Sequence, residues 1–191
     1  MHDCPRGSKN TVGTTKIDWP APPRPDRTPL TRLTRLGLIA ILLFAWVGCD
    51  QVSKNIVRDR IALGASRSYM YDTLRLTHAE NPGAFLSLGA SLPEGARVAV
   101  FQVGVSILVV GLLGFALFSR VNAWGVVGFS LLAASGLGNL IDRLLRDGLV
   151  TDFLNIGLGP VRTGIFNVAD VLGVIGFLLV ILRRQQSVGS S

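Results

Sequence analysis

The sequence predicts an all-α membrane protein with four transmembrane helices and a small β element on the outer side. Three observations carry this. Only 16% of the 191 residues are charged and 49% are hydrophobic, whereas a soluble domain carries about 25% charged residues. Four apolar runs are each long enough, at about 1.5 Å per residue, to cross a ~30 Å hydrocarbon core. Between and beside those runs, polar side chains collect at one end of the predicted bundle. The net charge of +7 does not point to nucleic acid. The basic residues flank apolar runs without aromatic interleaving, which fits topology signals and contacts with membrane lipids.

Residues 1–35 are polar and proline-rich, with Pro20, Pro22, Pro23, Pro25 and Pro29 close together. Such a segment buries too little surface to offset its ordering entropy, so a disordered arm is expected. Its Arg and Lys residues keep it cytoplasmic under the positive-inside rule. The remainder, 36–184, reads as one domain, and 185–191 as a cytoplasmic tail.

The first span is predicted over Leu36–Val57. It ends on Asp50 and Lys54, spaced i,i+4 on one face, which fits equally an interfacial ion pair closing the span or part of a site. Arg58, Asp59 and Arg60 mark the exit to the outer side. Leu74-Arg75-Leu76-Thr77-His78 alternates apolar and polar, a strand pattern. Asn81-Pro82-Gly83-Ala84-Phe85 reads as a turn in which Pro82 sets φ and Gly83 permits positive φ. His78 reads as a surface histidine.

The second span, Val98–Phe118, is apolar apart from Gln102 and Ser106 and shows no chemistry. Ser119 to Asn122 is a tight inner turn. The third span, Ala123–Ile141, ends in Ser135-Gly136-Leu137-Gly138, small residues that permit close helix approach. Leu144, Leu145, Leu149 and Val150 suggest an amphipathic stretch lying in the interface. The fourth span, Ile165–Leu182, stops at Arg183 and Arg184. Both termini are then cytoplasmic. The asymmetry is modest, ten Lys and Arg inside against eight outside, so the span flanks carry the orientation.

The candidate chemistry lies between Gly136 and Asp170. Asn139-x-x-Asp142 and Asn167-x-x-Asp170 repeat one pattern, and i,i+3 spacing sets each pair on one helix face. With Asp50, Lys54, Asn81, Arg143 and Asp152, they fall on the same predicted side. Ionisable groups near membrane depth cost roughly 2.5–3.5 kcal/mol each on insertion scales, so their concentration points to a site rather than to helix capping. No nucleophile-elbow serine, HExxH zinc motif or cysteine–histidine pairing is present. Cys4, Cys49, His2 and His78 give neither a disulfide framework nor a familiar zinc set. No metal or other cofactor is expected. Two carboxylates in a poorly solvated site share a proton, and such a pair can activate water and polarise a carbonyl. The residues alone leave open whether Asp142 or Asp152 partners Asp170.

Five motifs in order, Asp50-Gln51-Val52-Ser53-Lys54, Asn81 to Phe85, Gly138-Asn139-Leu140-Ile141-Asp142-Arg143, Val150-Thr151-Asp152-Phe153 and Phe166-Asn167-Val168-Ala169-Asp170, resemble bacterial lipoprotein signal peptidase (signal peptidase II), across about residues 36–184. The resemblance implies an intramembrane aspartic endopeptidase of four helices with a small extracytoplasmic β-cradle. It implies a multi-pass protein of the inner membrane, with the active site toward the outer face. Its substrates would be diacylglyceryl-modified prolipoproteins, cut before the lipidated cysteine without a cofactor. Asp152 and Asp170 would be the catalytic pair, and Asn81, Asn139, Arg143 and Asn167 would line the substrate site. Asp142 would orient Arg143 or the helix end, and Asp50, Lys54 and Gly83 would give structural support. A monomer is expected. The chain departs from the family pattern at Val171, where many members have serine, in its Asn81-Pro82-Gly83 turn, in the Gly-rich loop 154–165 and in its N-terminal arm.

Two rival readings remain from the residues. Leu36 to Cys49 itself resembles a lipoprotein signal, which would make the chain a substrate, although Trp46 is bulky for that pattern and three spans follow. A non-enzymatic channel or assembly factor would use the polar cluster to conduct ions or hold a partner.

Overall fold

The computed structural model describes residues 30–84 and 88–188, with side chains described through residue 182. The greater part of the expected arm, 1–29, and the end of the tail, 189–191, lie outside the described residues, as do 85–87 of the predicted turn. Helix α1 spans Arg32–Arg60, so it takes in four residues assigned from sequence to the arm and three beyond the predicted end. Thr31 caps it, its Oγ1 accepting from Thr34 N at 3.2 Å. Arg35 does not belong to a solvated arm. It is buried, donating from Nη1 to Ala116 O (3.2 Å), from Nη2 to Val121 O (2.6 Å) and also to Ser119 O. These are carbonyls that the neighbouring helix end and turn leave without helical partners, and a cation is favoured there.

A second rod, Glu94–Phe118, starts as α2 (Glu94–Arg97), continues through a seven-residue π-helical segment, Val98–Gly104, and ends as α3 (Val105–Phe118). Helix α4 covers Ala123–Leu145, with Asn122 Oδ1 accepting from Gly125 N at 3.0 Å as its cap. Helix α5 covers Val168–Val188. Among the described residues, three helices are long and apolar enough to cross a membrane: α1, the Glu94–Phe118 rod and α4. The apolar part of α5, Val168–Leu182, is shorter. Phe44, Ile107, Val110 and Trp124 all face outward, as lipid-facing side chains do.

Close helix contact explains two glycines. A Cβ at Gly138 would stand 2.7 Å from Asp50 Oδ2, and one at Gly176 2.8 Å from Gly128 O. Glycine therefore lets α4 lie against both α1 and α5, as the small residues near Gly138 led us to expect.

Four antiparallel strands, in the order β1-β2-β3-β4, sit over one end of the bundle. They are β1 (Ser66–Tyr69), β2 (Leu74–Asn81), β3 (Val150–Leu158) and β4 (Val161–Arg162). The alternation at Leu74–His78 is indeed a strand. The stretch after α4 differs from the expected interfacial amphipath: Leu144 and Leu145 end α4 on its exposed side, and Val150 is a buried residue opening β3. β3 pairs with β2 so that Asp152 stands opposite Ala79 and Val150 opposite Asn81. Val57, Ile61 and Phe153 form the core under the sheet, with Leu76, Leu154 and Val168 against it. That core fixes the end of α1, the sheet and the start of α5 to one another.

His78 is not a surface residue. It is 7% exposed, and its Nδ1 lies 2.8 Å from Ile61 O. Gly83 also serves its turn differently from expectation. The positive-φ glycines among the described residues are Gly64, Gly89, Gly148 and Gly159. Instead, Gly83 N donates to Asn81 Oδ1 at 2.8 Å, an Asx-type closure.

Candidate active site

The polar residues singled out in the sequence meet where the ends of α1 and α4, the start of α5, and strands β2 and β3 converge. They form two layers. The deeper one contains Asp50, Lys54 and Asp142, which are 0%, 0% and 1% exposed. Lys54 Nζ lies 2.8 Å from Asp50 Oδ2 and 3.3 Å from Asp142 Oδ2. The pair Asp50–Lys54 therefore does not close the helix at an interface: it is buried, and α1 continues to Arg60. Each carboxylate also holds backbone. Asp50 Oδ1 accepts from Ala169 N at 2.9 Å, and Asp142 Oδ2 accepts from Thr151 N at 3.0 Å. Buried ions of this kind are tolerated only when hydrogen bonds satisfy their remaining valences. Here those bonds clamp α5 and β3 onto α1 and α4.

Above this layer lie Asp152 and Asp170, connected through asparagines. Asn167 Nδ2 donates to Asp152 Oδ1 at 2.7 Å and to Asn139 Oδ1 at 3.0 Å. Asn139 Nδ2 donates to Asp170 Oδ1 at 3.2 Å. The other oxygens are held as well: Asn81 Nδ2 donates to Asp152 Oδ2 at 2.9 Å, and Asn167 N to Asp170 Oδ2 at 3.0 Å. Asn167 Oδ1 accepts from Asp170 N at 3.0 Å, so Asn167 and Asp170 close a reciprocal cap at the start of α5. The two N-x-x-D motifs thus face one another, and their asparagine amides form the bridge between carboxylates.

Lys54 links the layers, donating to Asn139 Oδ1 at 2.9 Å. An asparagine oxygen that accepts from both Lys54 and Asn167 has its NH2 turned toward Asp170. Asp142 makes its bonds to Lys54 and Thr151, not to Arg143. Arg143 stands beside the carboxylates, donating to Asn139 O at 3.3 Å and Gly83 O at 2.6 Å. Its guanidinium stacks over Phe101 with 5.2 Å to the ring centroid.

Burial, the largest influence, pushes the Asp152 carboxyl up from 3.8 to about 6; the donors Asn81 and Asn167 pull it down and the nearby Asp170 charge pushes it up. A groove of about 200 Å³ opens on Asp170, Asn139 and Arg143, walled by Gly83, Phe101 and Val105. A carbonyl entering it meets the Asp170 carboxyl, the Asn139 side chain and the Arg143 guanidinium.

Three contributors were missed in the sequence. Phe101 sits in an apolar run with nothing to distinguish it. Thr151, fully buried, accepts from Arg58 Nη1 at 2.8 Å, and Arg58 reads from sequence as a topology signal only. Among the described residues, no group of three or more His, Cys, Asp or Glu is arranged to hold a metal ion.

The family model for signal peptidase (SPase) II matches residues 42–185. A lipoprotein signal peptidase of Lactiplantibacillus plantarum is 39% identical over 147 residues, covering 75% of this chain and 93% of that protein. One from Streptococcus pneumoniae is 31% identical over 152 residues, covering 78% and 94%. Among solved structures, a bacterial membrane enzyme superposes with a TM-score of 0.72 at 29% identity, over 82% of this chain and 92% of its own.

Proposed function

The chain belongs to the signal peptidase II family, and from that premise we propose that it removes signal peptides from prolipoproteins as an intramembrane aspartic endopeptidase. Asp152 and Asp170 are its catalytic pair in this reading. The observation that carries it is the amide bridge: the buried Asp152 and half-buried Asp170 carboxylates, each held at both oxygens by donors, linked through Asn167 and Asn139.

The chemistry follows from one proton shared between two carboxyl groups. The ionised carboxylate takes a proton from water as its oxygen attacks the scissile carbonyl carbon, while the protonated one gives its proton to the carbonyl oxygen. The tetrahedral intermediate collapses when the C–N bond breaks and a proton passes to the leaving amine. Asn81, Asn139 and Asn167 fix the carboxylates, and Arg143 braces the turn at Gly83. No metal or cofactor enters this scheme. The bond cleaved lies just before a diacylglyceryl-modified cysteine.

The apolar part of α5 supports a fourth span in locally thinned bilayer, with both termini cytoplasmic and the sheet toward the outer face of the inner membrane. The test is to incubate the purified protein in detergent with a diacylglyceryl-cysteine prolipoprotein peptide and with its unlipidated counterpart. Mass spectrometry is expected to find cleavage before the lipidated cysteine only. Cleavage of both at equal rates contradicts the lipid requirement, and cleavage of neither by folded protein contradicts the peptidase reading.

A further inference from the structure

A second cavity, of about 270 Å³, lies beside the groove on the far side of Arg143 and Phe101, which line both. Its character is different. Arg97, Gln102, Glu94 and Asp147 contribute to its walls, whereas the groove walls are mainly apolar or small. Glu94 and Arg97 precede the π-helical segment, and Asp147 follows the end of α4. The cavity is therefore built at the polar ends of the helices.

Two further observations point to a binding site. Arg143 is 6% exposed, yet its Nε has no hydrogen-bond partner among the described residues. An unpartnered buried N–H is costly, so an incoming acceptor is favoured there. The π-helical segment also places Phe101 and Gln102 against the cavities, and such departures from α-helical bonding often occur at functional sites.

We infer that this polar chamber binds the residues that follow the lipidated cysteine, an extended polypeptide segment with both donors and acceptors to satisfy. The inference rests on the proposed peptidase activity. A prolipoprotein is apolar before the scissile bond and hydrophilic beyond its lipidated cysteine. With the bond at Asp152 and Asp170, the apolar part suits the groove beside Val105 and the hydrophilic part the chamber toward water. Arg143 Nε and Gln102 meet backbone carbonyls, Glu94 and Asp147 accept from backbone or side-chain N–H groups, and Arg97 supplies a further donor.

The test compares two lipidated peptides, one ending directly after the cysteine and one extended by five polar residues, with the full chain in detergent. The extension is expected to raise kcat/KM about tenfold, equivalent to about 1.4 kcal/mol, chiefly through KM. Gln102→Ala and Arg97→Ala, helix-compatible changes on partly exposed residues, are expected to bring the long-to-short ratio close to one. A wild-type ratio near one overturns the inference, as does a ratio both variants retain. A chamber that holds a lipid headgroup instead gives a ratio near one together with activity that rises on adding phospholipid, which also overturns it. Failure to cleave either peptide is a failure of the peptidase reading itself, and the short peptide separates the two.

Discussion

Lys54 Nζ, without solvent exposure, lies 2.9 Å from Asn139 Oδ1, and this contact fixes which way the Asn139 amide faces. Through it, a buried ion cluster that holds four elements together also aims a hydrogen-bond donor at Asp170. Stability and site geometry are coupled at this one side chain.

Lys54→Met removes the cation between Asp50 and Asp142 while keeping a similar volume. Asp50 then loses its cation and Asp142 keeps only the more distant Arg58, at 3.8 Å; breaking such a cluster costs about 3–5 kcal/mol. Thermal unfolding in detergent is expected to show a large drop in midpoint. A midpoint within a degree or two of wild type contradicts the assigned role.

Asn139→Leu separates the two functions. Lys54 keeps both carboxylates, so folding is expected to change little, but Asp170 loses a donor and the bridge from Asn167 is cut. Misplacing a reacting group costs about 100-fold in rate. The cleavage rate, measured beside the unfolding midpoint, checks that the loss falls on activity.

The pH dependence follows from a pair that works with one proton. Burial raises the Asp152 carboxyl to about 6. As pH rises through the value at which the pair loses that proton, both groups become charged and the rate falls; at low pH both are protonated and it falls again. Asn81 donates to the charged form and so lowers this value. Asn81→Ala is expected to move the descending limb of kcat/KM to higher pH. A limb that stays or moves lower contradicts the assignment.

At the other end, Arg35 serves three carbonyls and also takes Leu30 O at 3.2 Å. Arg35→Met is expected to cost about 2–4 kcal/mol of stability, since bonds to a charged group are worth about 1.5–3 kcal/mol each before relaxation. A chain beginning at residue 30 keeps Leu30 and Thr31 and is expected to cleave at the wild-type rate; loss of cleavage in a folded truncation contradicts this.

The helices were legible because an apolar run long enough to cross a bilayer has few alternative explanations. β2 was legible from its alternation. β3 was not: Val150, Thr151, Asp152 and Phe153 are all buried, so a strand with polar residues turned toward a site shows no apolar/polar alternation. Arg35 was hidden because a lone arginine beside a proline-rich arm looks solvated, and only the fold brings three carbonyls to it. His78 was likewise hidden, since its partner is the backbone of Ile61. The repeated N-x-x-D pattern exposed the polar cluster, but spacing could not distinguish Asp142 from Asp152. In the structure Asp142 pairs with Lys54 and Asp152 is bridged toward Asp170 through asparagine amides, which supports the proposed pair.

The most direct test of the central claim is a double-mutant cycle on cleavage of the lipidated peptide, using Asp152→Asn, Asp170→Asn and the combination, each checked for folding. Two groups sharing one proton act as a unit, so either single change is expected to abolish cleavage as fully as both together, by roughly 10⁴-fold or more. A single variant that keeps a substantial fraction of wild-type activity, or losses that simply add, would contradict the paired-carboxylate account.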